Sequence, residues 1–161
     1  MSTFTSKEYD QEVETMQISM KCSVAVHCLI FIYEAKDKAR VTSMLLSKST
    51  GCNPVIIRNI LSSLKKAGII TVARGTGGAE LCIDPSDITL YMIYSSLEPQ
   101  GLSNIIGIHP CQGLKCPVAQ NIQGVLYSPY RKIEDSIKET MEGITLSSMI
   151  DDFHRLLQEN E

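Results

Sequence analysis

Thr42-Ser-Met-Leu-Leu-Ser-Lys-Ser-Thr-Gly-Cys-Asn-Pro-Val-Ile-Ile-Arg-Asn-Ile-Leu-Ser-Ser-Leu-Lys-Lys-Ala-Gly-Ile-Ile-Thr-Val-Ala-Arg-Gly-Thr-Gly-Gly-Ala-Glu-Leu81 is the stretch that decides the fold. It reads as helix, tight turn, helix and then a glycine-tipped β-hairpin, the order of a helix-turn-helix followed by a wing. The second helix has the clearest pattern. Asn53 is suited to cap its first turn, because a side-chain oxygen can take one of the orphan N–H groups there. Pro54 fits the first helical position, where a missing N–H costs nothing. Ile57, Ile60, Leu61 and Leu64 recur at helical spacing and predict one buried stripe, with Arg58, Asn59, Ser62, Lys65 and Lys66 off it. Gly68 predicts a left-handed stop.

Charge separates this stretch from the rest of the chain. Between Lys38 and Ala79 stand seven basic residues (Lys38, Arg40, Lys48, Arg58, Lys65, Lys66, Arg74) and no Asp or Glu. The whole chain of 161 residues carries 15 basic and 18 acidic residues, which leaves 8 basic against 18 acidic elsewhere, a net of −10 against +7 here. An ordinary solvated helix face mixes signs, whereas a long acid-free segment suits a surface that meets phosphate. Flanking the tip, Ile69 to Ala73 and Ala79 to Ile83 read as paired strands. Between them Arg74-Gly-Thr-Gly-Gly78 allows positive φ and close approach, so Arg74 can enter a narrow minor groove. A glycine-rich phosphate loop is disfavoured, since no Gly-Lys-Ser/Thr follows and no helix opens directly after the glycines.

Several short motifs resemble one family. Gln17-Ile-Ser19, Thr42-Ser43, Asn53-Pro-Val-Ile-Ile-Arg58, Leu64-Lys-Lys-Ala-Gly68, Arg74-Gly-Thr-Gly-Gly78, Asp87-Ile-Thr-Leu90 and Cys116-Pro-Val118 look like the Rrf-two family of bacterial transcription regulators. That family includes iron–sulfur-cluster, nitric-oxide-sensing and cysteine-metabolism repressors. The resemblance runs from about Met16 to about Leu157 and is greatest to the cluster-free branch with a Cys-Pro-Val motif. It implies a mainly α fold with a small β-hairpin wing, a winged helix-turn-helix joined to a long C-terminal dimerisation helix. It implies a homodimer reading double-stranded DNA at a palindromic operator, as a repressor.

Carrying the family's DNA contacts onto this sequence gives Asn53, Val55, Ile56, Arg58 and Asn59 as base-reading positions. Arg58 can pair with guanine and Asn59 with adenine, whereas Val55 and Ile56 either touch a thymine methyl or simply pack. Thr42, Ser43 and Lys65 are candidates for phosphate contacts, which position without specifying. The wing contributes Arg74, Gly75, Thr76, Gly77 and Gly78. Where the family places an early Glu in the first reading helix, Met44 and Leu45 stand here, so Thr42 caps alone.

Outward from this unit, residues 1–15 are polar and acidic and are expected to form a loosely ordered tail. No signal or transit peptide is expected, since both begin basic. The longest apolar run, Val24 to Tyr33, is too short to span a bilayer, so the expected location is the cytoplasm, with six reduced cysteines. Met16 to Glu34 reads as a helix with Val24, Ala25, Cys28, Leu29 and Ile32 toward the core, and with Cys22 and Cys28 as packing thiols. His27 reads as a hydrogen-bonded helix residue. Residues 16–98 form the expected DNA-binding domain, closed by a short helix to Leu97 that either Thr89 or Asp87 caps, with Leu90, Ile93, Tyr94 and Leu97 on one face. A loop at 99–117 follows. Residues 118–161 are expected to supply the dimerisation helix, with Val118, Ile122, Val125, Leu126, Ile133, Ile137 and Met141 in a stripe that a core-packing helix would also show, and a last helix that Thr145 caps. Ser128-Pro129 either starts a fresh helix or kinks a continuous one.

The loop holds His109, Cys111 and Cys116, a possible redox or metal sensor. In the cluster-bearing relatives three loop cysteines and a further ligand hold the iron. Here Cys111 and Cys116 look like the second and third, and Ala119 stands where a histidine could follow. Two thiols and one imidazole fall short of the four ligands a [2Fe–2S] cluster or a structural zinc needs. No cofactor is expected; a thiol switch, a packed cysteine, an iron–sulfur cluster or zinc are the alternatives. No catalytic constellation stands out, so an enzyme is not expected. The reading from another class is a winged-helix adaptor that binds protein and not DNA, for which Arg58 and Arg74 together would have no use.

Overall fold

The computed structural model describes residues 20–36, 38–73, 78–110 and 115–160. It divides into two compact units, one of Ser19–Pro99 with Thr140–Glu161, the other containing Gln100–Glu139. The expected tail at 1–15, the start of the first helix at Met16 and the wing tip from Arg74 to Gly77 lie outside the described residues.

The first unit opens with α1 (Met20–Glu34), which buries Cys22, Ala25, Cys28, Leu29 and Ile32. Val24 is only half-buried, a correction to the expected core face: the buried residues follow i, i+3, i+6, i+7 and i+10, and Val24 falls at the edge of that stripe. Burial pushes the Cys22 thiol up to about 11 and the Cys28 thiol up to about 12, which makes both of them inert packing groups. His27 is exposed, with Nε2 2.9 Å from the Ser49 hydroxyl.

Two short helices follow. α2 (Ser43–Thr50) is capped by Thr42, whose Oγ1 accepts from the Leu45 N–H at 3.2 Å, and it stops at Gly51 with φ 71°. α3 (Pro54–Lys66) has Pro54 at its first position and Asn53 as its cap, and it buries Ile57, Ile60, Leu61 and Leu64. Gly68, at φ 74°, turns the chain out of it. β1 (Ile70–Val72) then pairs antiparallel with β2 (Ala79–Leu81), Thr71 opposite Glu80.

After the wing, α4 (Leu90–Leu97) begins at Thr89, which resolves the choice between Thr89 and Asp87. α4 packs on α1 and α3, while α6 (Leu146–Glu159) packs on α1. The two threonine caps meet. Thr89 and Thr145 form an antiparallel bridge, with Leu90 N–H donating to the Ile144 carbonyl at 2.8 Å and Leu146 N–H to the Ile88 carbonyl at 2.7 Å. One pair of extended cap residues therefore starts two helices and ties them together. His154 of α6 and Glu34 of α1 lie 2.6 Å apart across that packing.

The second unit contains a 3-10 turn at Gly101–Asn104, within the expected loop, and α5 (Pro117–Glu142) up to Glu139; the last residues of α5, from Thr140, belong to the first unit. Pro129 sits inside α5 and the helix runs on through it, so of the two alternatives the helix is continuous and no fresh helix starts there. The carbonyl that loses its partner belongs to Val125, which is exposed, so water can satisfy it. Of the 26 residues of α5, Met141 alone is buried; Val118, Val125, Tyr127 and Ile133 are exposed.

Candidate nucleic-acid interface

The turn between α2 and α3 is fixed by its own side chains. Ser47 Oγ donates to the Cys52 carbonyl at 2.6 Å, Thr50 Oγ1 donates to the Leu46 carbonyl at 2.8 Å, and the Cys52 N–H returns to Thr50 Oγ1 at 3.2 Å. With Gly51 left-handed, these bonds set the angle at which α3 leaves α2.

α3 presents two faces of opposite character. The inner face is the buried apolar stripe. On the outer face stand Val55, Asn59, Ser62 and Lys66, all exposed, at spacings of four, three and four residues along one ridge. Arg58 and Lys65 flank it on one side and Ile56 on the other, again exposed. Asn53 Oδ1 is taken by the Val55 N–H at 2.8 Å, so its amide N–H groups are what remains for an external partner. Arg58 folds back along the helix, its Nε donating to the Pro54 carbonyl at 3.2 Å, which steadies the guanidinium while its terminal N–H groups stay available. Ser62 and Lys66 carry no assignment from sequence, although the same helical spacing that places Val55 and Asn59 outward also selects them.

Thr42 is half-buried in its capping role and Ser43, half-buried, opens α2. The wing root has a tighter geometry than its glycine content suggests. Gly78 is not among the positive-φ glycines of the described residues. Instead, a Cβ there would lie 2.7 Å from the Val41 nitrogen and 2.9 Å from its carbonyl oxygen. The Ala79 N–H donates to that same carbonyl at 3.0 Å, and the Ala73 N–H donates to the Gly78 carbonyl at 3.2 Å. Gly78 thus lets β2 press against the residue that leads into α2, which couples the wing to the reading helices. Arg74, Gly75, Thr76 and Gly77 lie outside the described residues.

Of the loop residues, His109 and Cys116 are exposed and Cys111 lies outside the described residues. Cys116 occupies the cap of α5, its carbonyl accepting from the Gln120 N–H at 3.1 Å. Backbone N–H groups of Ala119 and Val118 hold its thiol below the usual thiol range. Among the described residues no three His, Cys, Asp or Glu side chains converge as a metal site would require. No helix among them is long and apolar enough to cross a membrane.

Comparison with known proteins agrees with this geometry. The family profile described as "Rrf2: Iron-dependent Transcriptional regulator" matches residues 18–152. The Bacillus subtilis protein YwnA, named as an HTH-type transcriptional regulator, is 30% identical over 133 residues, covering 83% of this chain and 96% of its own. A transcriptional-regulator crystal structure from Lactobacillus plantarum superposes with a TM-score of 0.69 at 28% identity, over 88% of this chain and 99% of that one. CymR, the global cysteine regulator of B. subtilis, shares the fold with a TM-score of 0.61 at 20% identity, over 84% and 96% of the two chains. The chain belongs to the Rrf2 family of winged helix-turn-helix transcriptional regulators, which are DNA-binding proteins and not enzymes.

Proposed function

We propose that this chain is a repressor that reads a palindromic operator as a homodimer. The observation that carries the reading is the outer face of α3. It is exposed along its whole length, carries Arg58, Asn59, Ser62, Lys65 and Lys66, and belongs to the acid-free stretch from Lys38 to Ala79. In this reading α3 lies in the major groove, where Arg58 pairs with guanine and Asn59 with adenine. Thr42, Ser43 and Lys65 hold phosphates, Asn53 contributes its amide at the groove edge, and Arg74 enters the minor groove on the wing with Gly75, Thr76, Gly77 and Gly78. The winged domain at 16–98 supplies this surface, and 118–161 supplies the dimer, with the apolar stripe of α5 as its seam. That stripe, exposed at Val118, Val125 and Ile133, supports a second copy as its cover. Two copies related by a two-fold axis would read half-sites about one helical turn apart, roughly 34–36 Å. Occupancy of such a site over a promoter blocks transcription without any further contact.

Although the family is described as iron-dependent, the donors in this chain's loop do not fit a closed iron site. His109, Cys111 and Cys116 are one ligand short of four, and His109 and Cys116 belong to no three-donor group among the described residues. In this reading the chain is of the cluster-free branch, acts in the cytoplasm and binds DNA without metal, with Cys116 the thiol best placed to respond to oxidation.

The test is a salt-titrated binding assay on the chain's own upstream DNA, with sedimentation at micromolar concentration and with chelator present. Expected are a dimer, a preference of at least about a thousandfold over random duplex, and binding unchanged by chelation. Transcription from the bound promoter should fall when the protein is added. A monomer with DNA binding intact would remove the dimer, and a chain with no DNA preference would favour the adaptor reading. A stoichiometric metal lost in Cys116→Ala would make the loop a metal sensor.

A further inference from the structure

The leading turn of α3 is apolar on its outside. Val55 is 54% exposed and Ile56 45% exposed, while the next residue, Ile57, is fully buried. Neither Val55 nor Ile56 packs into the core, although they are the residues of α3 nearest its N-terminus after the proline. This is the part of a reading helix that enters the major groove most deeply in helix-turn-helix proteins. Helix geometry places Val55 at the centre of the ridge that continues through Asn59, Ser62 and Lys66, and Ile56 at its edge. An exposed β-branched pair in the first turn of a helix is unfavourable for solubility and slightly unfavourable for helix formation. Solvent alone therefore gives no reason for it.

A duplex offers one apolar feature in its major groove, the C5-methyl group of thymine. We infer that Val55 and Ile56 read thymine by its C5-methyl group, so that each operator half-site is specified by methyl contact at one or two base pairs beside the bases read by Arg58 and Asn59. The neighbouring groups agree with this assignment. The Val55 N–H is already bonded to Asn53 and the Pro54 carbonyl to Arg58, so neither of these backbone groups competes with the methyl contact. Flanking cations, Arg58 and Lys65, and the absence of Asp and Glu from the stretch favour duplex DNA over an apolar protein partner for this patch. The inference rests on α3 being the base-reading helix.

The experiment begins with the full-length protein and random duplex DNA, from which bound sequences are selected and a consensus operator is made. Each dT of the operator is then replaced singly by dU, which removes the methyl group and leaves the base pair and its O4 acceptor intact. Expected is a loss of about fourfold at one or two positions in each half-site, the effect of one methyl-sized apolar contact, and no change elsewhere. Val55→Ala and Ile56→Ala, both at exposed positions and checked for unchanged melting, should abolish the dU sensitivity at those positions. If no dU substitution weakens binding by as much as twofold, or if the sensitivity persists in both variants, methyl reading is wrong while base reading by α3 stands. If no sequence is enriched over random DNA, base reading by α3 fails and the methyl inference fails with it.

Discussion

α3 and α5 carry similar patterns in the sequence and have opposite fates in the structure. α3 spends its four stripe residues, Ile57, Ile60, Leu61 and Leu64, on its own chain's core and leaves outside a ridge that is apolar at Val55 and polar from Asn59 onward. α5 is twice as long, with an apolar stripe from Val118 to Met141, yet buries only its last member. The difference teaches that helical periodicity announces a face that needs covering and does not say what covers it. For α3 the cover is α1, α2, α4 and β1. For α5 we propose the same helix of a second copy.

The largest effect should come from charging the α5 stripe. Ile133→Glu places two unpaired carboxylates in a symmetric seam, at a cost of about 3–5 kcal/mol each. Sedimentation should show a monomer at micromolar concentration, with circular dichroism unchanged because Ile133 is exposed within its own chain. A folded dimer with wild-type affinity would break the comparison, since α5 would then need some other cover.

The matching change in α3 should act on folding instead. Leu64 is fully buried, and Leu64→Ala should remove about 2–5 kcal/mol of stability in chemical denaturation, through lost burial and the cavity left behind. Gly78→Ala comes next. Its Cβ would meet backbone atoms of Val41 that no rotamer change can move, so a loss of about 1–3 kcal/mol is expected, accompanied by weaker DNA binding as the wing shifts. Should Gly78→Ala bind and melt like the parent, the wing would not be coupled to α2 through Val41.

The smallest effect concerns reactivity. Cys116 is exposed and its thiol lowered by backbone N–H groups, so its thiolate fraction rises at a lower pH than that of an ordinary cysteine. Alkylation followed by peptide mapping at pH 7 to 8 should label Cys116 quickly, and Cys22 and Cys28 only after unfolding. For those two the folded pKa lies above the usual 9.0, so their contribution to stability is intact below pH 9 and disappears as pH rises through 11 to 12. Rapid native labelling of Cys28 would show that α1 opens more readily than its burial implies.

Much of this molecule is legible from local chemistry. The caps at Thr42, Asn53 and Thr145, the stop at Gly68 and the buried stripe of α3 all follow from residue type and spacing, because each is decided within one or two turns of helix. What escaped sequence reasoning is non-local. The bridge between Thr89 and Thr145 joins residues 56 positions apart, and only the fold makes two N-caps into one strand pair. Gly78 looks like a turn glycine, but its requirement is set by Val41, which no hairpin rule contains. Arg58 is recognisable as a polar group at a groove, whereas its bond to the Pro54 carbonyl depends on a rotamer that spacing does not encode. Val55 and Ile56 remain open in the sequence between packing and contact, and their exposure favours contact.

The central claim is that the outer face of α3 distinguishes one DNA sequence from another. Its most direct test is the ratio of affinities for the selected operator and for random duplex, measured at matched salt for the parent and for Arg58→Ala. A bidentate guanine contact is worth about 1–3 kcal/mol of discrimination. The account predicts that Arg58→Ala lowers the ratio by about tenfold or more, relaxes preference at one base pair and changes binding to random DNA far less. An unchanged ratio, or an equal loss on both duplexes, would contradict it and place base reading elsewhere on the molecule.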